Sequence, residues 1–226
     1  MKTRTFFFLA LLLISGIRAN SQDTGISFGL RGGVNMQNIN GKNLTGDKLE
    51  LNLVPRFNFG AVVGIPVTPE FQFQTGVMYS AKGAKAKADF LGIVDMATEY
   101  NISYIEMPFN FLYRPVLGNG HFLLGFGPYV AYGFGGKAKF TINNTSTEEK
   151  IVYTNEYQST NPNDWKYFRH MDYGGNLFFG YELNSGLSLQ LNTQLGMAKI
   201  NSENTSYDYK SEFRNTGYGL SLGFNF

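Results

Sequence analysis

Residues Thr216 to Phe226, reading TGYGLSLGFNF, alternate without a break. Thr216, Tyr218, Leu220, Leu222, Phe224 and Phe226 share one parity, and Gly217, Gly219, Ser221, Gly223 and Asn225 share the other. A period of two belongs to an extended strand, whose successive side chains point to opposite faces. One face is apolar, the other is small and polar, and the strand ends on an aromatic ring.

The pattern recurs along the chain and predicts about eight strands. Seven precede the terminal one: Gly25 to about Gln37, about Arg56 to Val67, Phe71 to Ser80, about Tyr100 to Arg114, about Phe122 to Phe134, about Asp172 to Leu183, and Leu187 to Met197. No apolar face carries a charge. In the fourth, Ile105, Met107, Phe109, Phe111 and Tyr113 share one parity, whereas Tyr100, Ile102 and Tyr104 above them take the other. A bulge near Tyr104, or a change of register there, accounts for the switch. Pro108 removes a ladder donor from the same strand and is expected to mark a bulge.

Two barrels are compatible with such strands. In a soluble one the apolar parity points inward, and the outer parity is rich in Lys, Glu and Asp. Here the polar parity is mostly Gly, Ser, Asn and Gln, which suits a crowded lumen better than a wall facing water. In a transmembrane barrel the apolar face meets lipid, where a mid-depth charge costs about 2–4 kcal/mol. An apolar band of ~25 Å crossed at ~40° needs ~10 residues per strand at ~3.3 Å rise, about the length of these runs. The expected fold is an all-β, closed antiparallel up-and-down transmembrane barrel. Loop lengths agree: residues 38–55, 81–99, 135–171 and 201–213 make long connections, while 68–69, 115–120 and 184–186 make short ones. Alternating short periplasmic turns and long external loops belong to outer-membrane barrels. Closure removes sheet edges, which lipid does not tolerate. Phe57, Tyr79, Tyr132 and Tyr173 are placed in an upper aromatic girdle, and Phe71, Tyr113, Phe122, Tyr181 and Phe226 in a lower one.

Residues 1–21 read as a secretory signal peptide. Lys2 and Arg4 precede an apolar run from Phe6 to Ile14, and Ala19-Asn20-Ser21 offers cleavage after Ser21. The barrel domain is then 22–226. Removing Lys2, Arg4 and Arg18 with no acid takes the formal net charge from +2 to −1, so no case for nucleic-acid binding survives. With no cysteine, stability cannot come from disulfides.

Several stretches resemble one family. GLRGGVN (Gly29 to Asn35), YIEMPF (Tyr104 to Phe109), GFGPY (Gly125 to Tyr129) and the terminal aromatic strand, behind a signal peptide, are similar to the PorT-like outer-membrane β-barrels of Bacteroidetes. The resemblance spans the mature chain and implies a small barrel of about eight strands in an outer membrane. For most members it implies no assigned activity. The family's namesake is associated with a protein-secretion system, and no residue here carries that role across.

Residues with catalytic potential are few. His121 and His170 fall at opposite ends of the barrel and cannot share a metal. His170 with Asp172 lacks a nearby lipid-facing Ser to complete a triad and is read as a solvated loop residue. Arg31, Arg56, Glu106, Arg114 and Glu182 lie on the polar parity and form a candidate lumen network, a plug in a barrel that side chains can just fill. Arg31 and Glu106, both mid-strand, are expected to pair. Lys82, Lys85 and Lys87 are read as a solvated extension of the third strand, with lipopolysaccharide phosphates as the other reading. Trp165, Tyr153, Tyr157 and Tyr167 give the longest loop the composition of a recognition surface. Phe226 is the candidate assembly signal, read by the outer-membrane assembly machinery.

The reading is therefore a non-enzymatic outer-membrane barrel acting through its external loops, without cofactor. Its partners are outer-membrane lipid and lipopolysaccharide, the assembly machinery, and an extracellular or secretion-system protein. A narrow transporter for small or apolar solutes and an enzyme acting on lipid A or phospholipid are the alternatives.

Overall fold

Eight strands close into a ring in the computed structural model, which describes residues 25–43, 46–90, 94–143, 145–159, 166–206 and 210–226. The proposed leader lies outside these residues. The ring strands are β1 (Ser27–Lys42), β2 (Val54–Pro66), β3 (Phe71–Lys82), β5 (Val94–Tyr113), β6 (Gly120–Ile142), β11 (Met171–Leu183), β12 (Leu187–Gly196) and β14 (Glu212–Asn225). Each pairs antiparallel with its neighbour, and β14 closes on β1 from Gly29↔Asn225 to Lys42↔Glu212. The remaining strands belong to the connections: β4 (Lys85–Phe90), β7 (Thr145–Lys150), β8 (Val152–Tyr153), β9 (Glu156–Tyr157), β10 (Tyr167–Phe168) and β13 (Glu203–Asn204).

The alternation sorts side chains as the sequence requires. Phe28, Leu30, Phe57, Phe59, Val77, Phe111, Phe126, Leu177, Leu191, Leu220 and Leu222 are exposed on the outside, whereas Asn35, Gln37, Gln74, Glu106, Asn110, Gln190 and Ser221 are buried inside. That arrangement inverts a soluble protein and fits a lipid surround. Girdle aromatics pack along the outer wall: Phe57 and Phe59 stack on Tyr79 at 5.5 and 5.2 Å, and Phe71 meets Tyr113 at 4.8 Å.

The barrel does not stop where the membrane belt stops. β5 and β6 run for 20 and 23 residues, a hairpin of about 65–75 Å at ~3.3 Å per residue. β4 pairs with the outer part of β5, and β7 with that of β6, so much of the expected long loops is strand. Inside this extension the lumen turns apolar. Ile39, Ala84, Tyr100, Ile102, Ala138, Phe168, Ile200 and Phe213 form a buried core, with Leu49 and Leu51 of the β1–β2 connection packed on it.

This second core explains the apparent parity switch of β5. Tyr100, Ile102, Tyr104, Glu106, Asn110 and Leu112 are all buried, so one face of β5 points inward throughout. What changes is the chemistry of the lumen, not the direction of the side chains. A bulge is present between Ser103 and Tyr104, but the extra residue, Phe134, sits on β6: Ser103 pairs with Gly135 and Tyr104 with Gly133. It is β6 that changes its inward parity, from Tyr129 and Ala131 below to Ala138 above. At Pro108 the expected bulge is absent. The ladder opens beside it and resumes in the same register, Thr75↔Phe109 and Met78↔Glu106 on one side, Pro108↔Tyr129 and Phe111↔Phe126 on the other.

Two carbonyls at the Phe134 bulge are held by the connection that follows. Tyr153 donates its hydroxyl to the Gly135 carbonyl at 2.9 Å, and His170 Nδ1 contacts the Gly133 carbonyl at 2.8 Å. The His170 ring lies between Tyr132 and Tyr153 at 4.6 and 4.7 Å, nearly parallel to both. His170→Ala removes a stacking partner and a hydrogen bond together. An apparent destabilisation of about 1–2 kcal/mol is expected, measured by denaturant unfolding in lipid vesicles.

Candidate functional site

Inward side chains divide the lumen into layers. At the periplasmic mouth Arg114 on the β5–β6 turn is paired with Glu182 of β11, which also accepts from Asn225 of β14. Above it, Phe178, Leu112 and Leu123 fill the bore. Phe178 needs the space that Gly125 leaves opposite it on β6, where a Cβ would lie 2.1 Å from the ring. Gly125→Val therefore overpacks the plug by about 1–3 kcal/mol. The double variant with Phe178→Ala is expected to recover much of that loss in the same unfolding assay.

Arg31 covers the upper face of Phe178 at 5.1 Å and donates to Gln74 Oε1 at 2.8 Å. A chamber of about 70 Å³ opens above it, lined by amides that include Asn35, Asn110, Asn176, Asn192 and Gln194. These amides are cross-linked: Gln194 donates to Asn176 at 3.0 Å and to Glu106 at 2.7 Å, and Asn192 to Asn35 at 3.2 Å.

The chamber is roofed by a buried ionic cluster. Lys82 Nζ lies 2.9 Å from Glu106 Oε2 and 3.1 Å from Asp172 Oδ2, and the Lys82 and Asp172 side chains are wholly buried. The ammonium sits 4.1 Å from the Tyr129 ring centroid, and Asn215 donates to Asp172 at 2.9 Å. One Lys thus joins β3, β5, β6, β11 and β14 around the bore. Above this roof begins the apolar core of the extension.

The five network residues chosen from the sequence therefore do not form one network. Arg114 and Glu182 pair at the mouth. Arg56 sits at the extracellular end, on Glu99 at 3.0 Å and the Tyr100 carbonyl at 2.8 Å. Arg31 and Glu106 face the same chamber without pairing, because Glu106 is held by Lys82 and Gln194. The solvated Lys82 expected from the sequence is instead the centre of the cluster. It is an inward position of β3, next after Ser80 and Met78, and its polar parity was the available signal. Lys85 behaves more as expected, partly exposed near Glu99 at 3.9 Å; the Lys87 side chain and Trp165 lie outside the described part. Asp172 does not orient His170, since its oxygens face Lys82, Tyr129 and Asn215. Tyr153 is spent on the bulge, and Tyr157 stacks on Tyr167 at 4.3 Å.

Charges outside the belt form exposed pairs. Lys137 holds the Glu148 carboxyl below its usual range through a 2.8 Å contact, and Lys199 and Arg169 do the same to Glu203. Phe226 lies at the periplasmic rim, its amide on the Phe28 carbonyl at 2.8 Å and its ring edge-on to Phe224 at 5.3 Å.

A ring of eight strands with lipid-compatible walls and a filled lumen has the architecture of a bacterial outer-membrane protein, and a family model described as outer membrane protein beta-barrel domain matches residues 19–202. The chain belongs to that family. This outer-membrane barrel is similar in fold to solved structures at low identity. OprG of Pseudomonas aeruginosa matches at 13% identity over 88% of this chain and 95% of that one, with a TM-score of 0.45. Neisserial surface protein A matches at 10% identity over 89% and 99%, with 0.42. Ail, the attachment invasion locus protein of Yersinia pestis, matches at 11% over 88% and 98%, with 0.36. Among curated proteins, none matches the barrel in sequence.

Proposed function

We propose that this barrel is a non-enzymatic outer-membrane protein that moves no solute and presents a rigid extracellular platform to a protein partner, outside the cell or in a secretion system. The observation that carries the reading is the second core: the extracellular extension packs Ile39, Ile102, Phe168, Ile200 and Phe213 inside the bore, as a folded domain does, rather than leaving free loops over a pore. The exposed strand β7, TSTEEK, rides on this body. Transport is disfavoured by three successive fillings of the lumen, at Phe178, at Lys82 and in the second core. Lipid chemistry is disfavoured by the placement of His170, which is stacked between two Tyr rings, and of Asp172, which serves Lys82. Cleavage of the leader after Ser21, outer-leaflet lipid and lipopolysaccharide around the belt, insertion by the assembly machinery through the Phe226 end, and membership of the PorT-like Bacteroidetes group complete the proposal.

Two measurements test it. Purified barrel in planar bilayers is expected to give no unitary conductance, and steady openings of the wild type would contradict the closed lumen. A photo-crosslinking residue at Thr147 on β7 is expected to give a discrete protein adduct in intact cells that the same residue at Leu191 in the belt does not. Identical behaviour at the two positions would remove the platform.

A further inference from the structure

Groups that can condense with one another meet at the roof of the chamber. Lys82 Nζ lies 3.1 Å from Asp172 Oδ2 and 2.9 Å from Glu106 Oε2, and the Lys82 and Asp172 side chains are wholly sealed from solvent. An amine fixed in contact with a carboxyl needs no chance encounter to attack it, which is the advantage of intramolecular placement. The Tyr129 and Tyr104 rings cover Lys82 Nζ at 4.1 and 5.4 Å from their centroids. The carboxyl is also polarised. Asp172 Oδ2 accepts from Asn215 at 2.9 Å and from the Tyr129 hydroxyl at 3.3 Å, two donors on an oxygen that gains charge when Cγ is attacked.

We propose that Lys82 and Asp172 join in an isopeptide bond, with Glu106 as the proton carrier. Charges are costly to hold out of water, so in this site a neutral amine beside a neutral acid competes with the ion pair. One ammonium proton passes to Asp172, and the free amine attacks Cγ to form the C–N bond. Glu106 takes a second proton from the nitrogen and returns it to a hydroxyl on the tetrahedral carbon, whereupon the C–O bond breaks and water leaves. An ammonium and a carboxylate have become an amide and water. Glu106 is a carboxylate before and after, and the net charge of the cluster is unchanged. Gln194 donates to Glu106 Oε1 at 2.7 Å, leaving Oε2 to Lys82, and the chamber that Glu106 lines gives the water an exit.

The bond ties β3 to β11 across 90 residues in a chain without cysteine. It requires the closed ring, so freshly refolded barrel carries the ion pair and the linked form accumulates afterwards.

Tandem mass spectrometry of the full barrel, purified from membranes and digested with trypsin, tests the assignment. Peptides 57–85 and 170–199 are expected to be joined, at their summed mass less one water, with no cut after Lys82. Lys82→Arg, which keeps a cation for both carboxylates, is expected to give none of the joined pair, and Glu106→Gln to lose most of it. The gel mobility of unboiled samples checks that either variant has folded. The wild-type result needs no variant. Linear 57–82 and 170–199 from the wild type would overturn the bond, and an undiminished joined pair in Glu106→Gln would overturn the part given to Glu106.

Discussion

Lys82→Met is expected to destabilise the barrel by about 3–5 kcal/mol, because removing one partner of a buried ion pair leaves charge without compensation. Here the loss strands two carboxylates, Glu106 and Asp172, at the roof of the chamber. Their mutual repulsion adds to the cost, and the Tyr129 face that Lys82 covers loses its cation. The triple variant Lys82→Met with Glu106→Gln and Asp172→Asn removes the charges together and is expected to recover most of the loss. Urea unfolding in vesicles reads both values. If the single and triple variants were equally unstable, packing rather than charge would be the cause.

A charge on the outer wall gives the second large effect. Leu220 lies in the middle of β14, exposed and flanked by Val34 and Leu191 on the neighbouring strands. Leu220→Arg is expected to cost about 2–4 kcal/mol, the penalty for a guanidinium near the bilayer midplane. Thr216→Arg, four residues higher and two from Arg214, is expected to cost about 0–1 kcal/mol because the side chain reaches the interface. In a soluble barrel with Leu220 inside, both substitutions would be severe, so the gradient along one strand separates the architectures. Removing Phe226 belongs to a different class. It is expected to slow assembly by the cellular machinery while leaving the unfolding free energy of the finished barrel nearly unchanged, since the ring is half-exposed at the rim.

What could be read from the sequence was whatever lipid imposes. The apolar parity of β14 and of its seven companions is fixed by the requirement that every outward group be apolar and every peptide group paired. Strand count, closure of β1 on β14 and the outer aromatics followed from that alone. The lumen obeys no such rule. Inward positions accept Asn, Gln, Tyr or Lys wherever space and a partner exist, and the partner is on a strand distant in sequence. Lys82 meets Asp172 across 90 residues, a pairing that no local pattern contains. The same holds for Phe178 and Gly125, which look like an ordinary aromatic and an ordinary glycine until the ring closes. The region above the membrane misled for a related reason. Tyr100, Ile102 and Tyr104 read as a parity switch because apolar residues were expected outside, whereas the extension follows soluble rules and buries them. His170 read as a solvated loop residue, because the Phe134 bulge that it holds exists only once β5 and β6 pair.

Collision accessibility of spin labels at positions 216, 218, 220, 222 and 224, in vesicles, tests the central claim most directly. Lipid-facing positions are expected to be accessible to oxygen, which partitions into hydrocarbon, and shielded from a water-soluble nickel complex, with the shielding greatest near Leu220 and relaxing towards Thr216 and Phe224. Low accessibility to both reagents along the whole series would place this face inside the barrel and contradict the outer-membrane architecture.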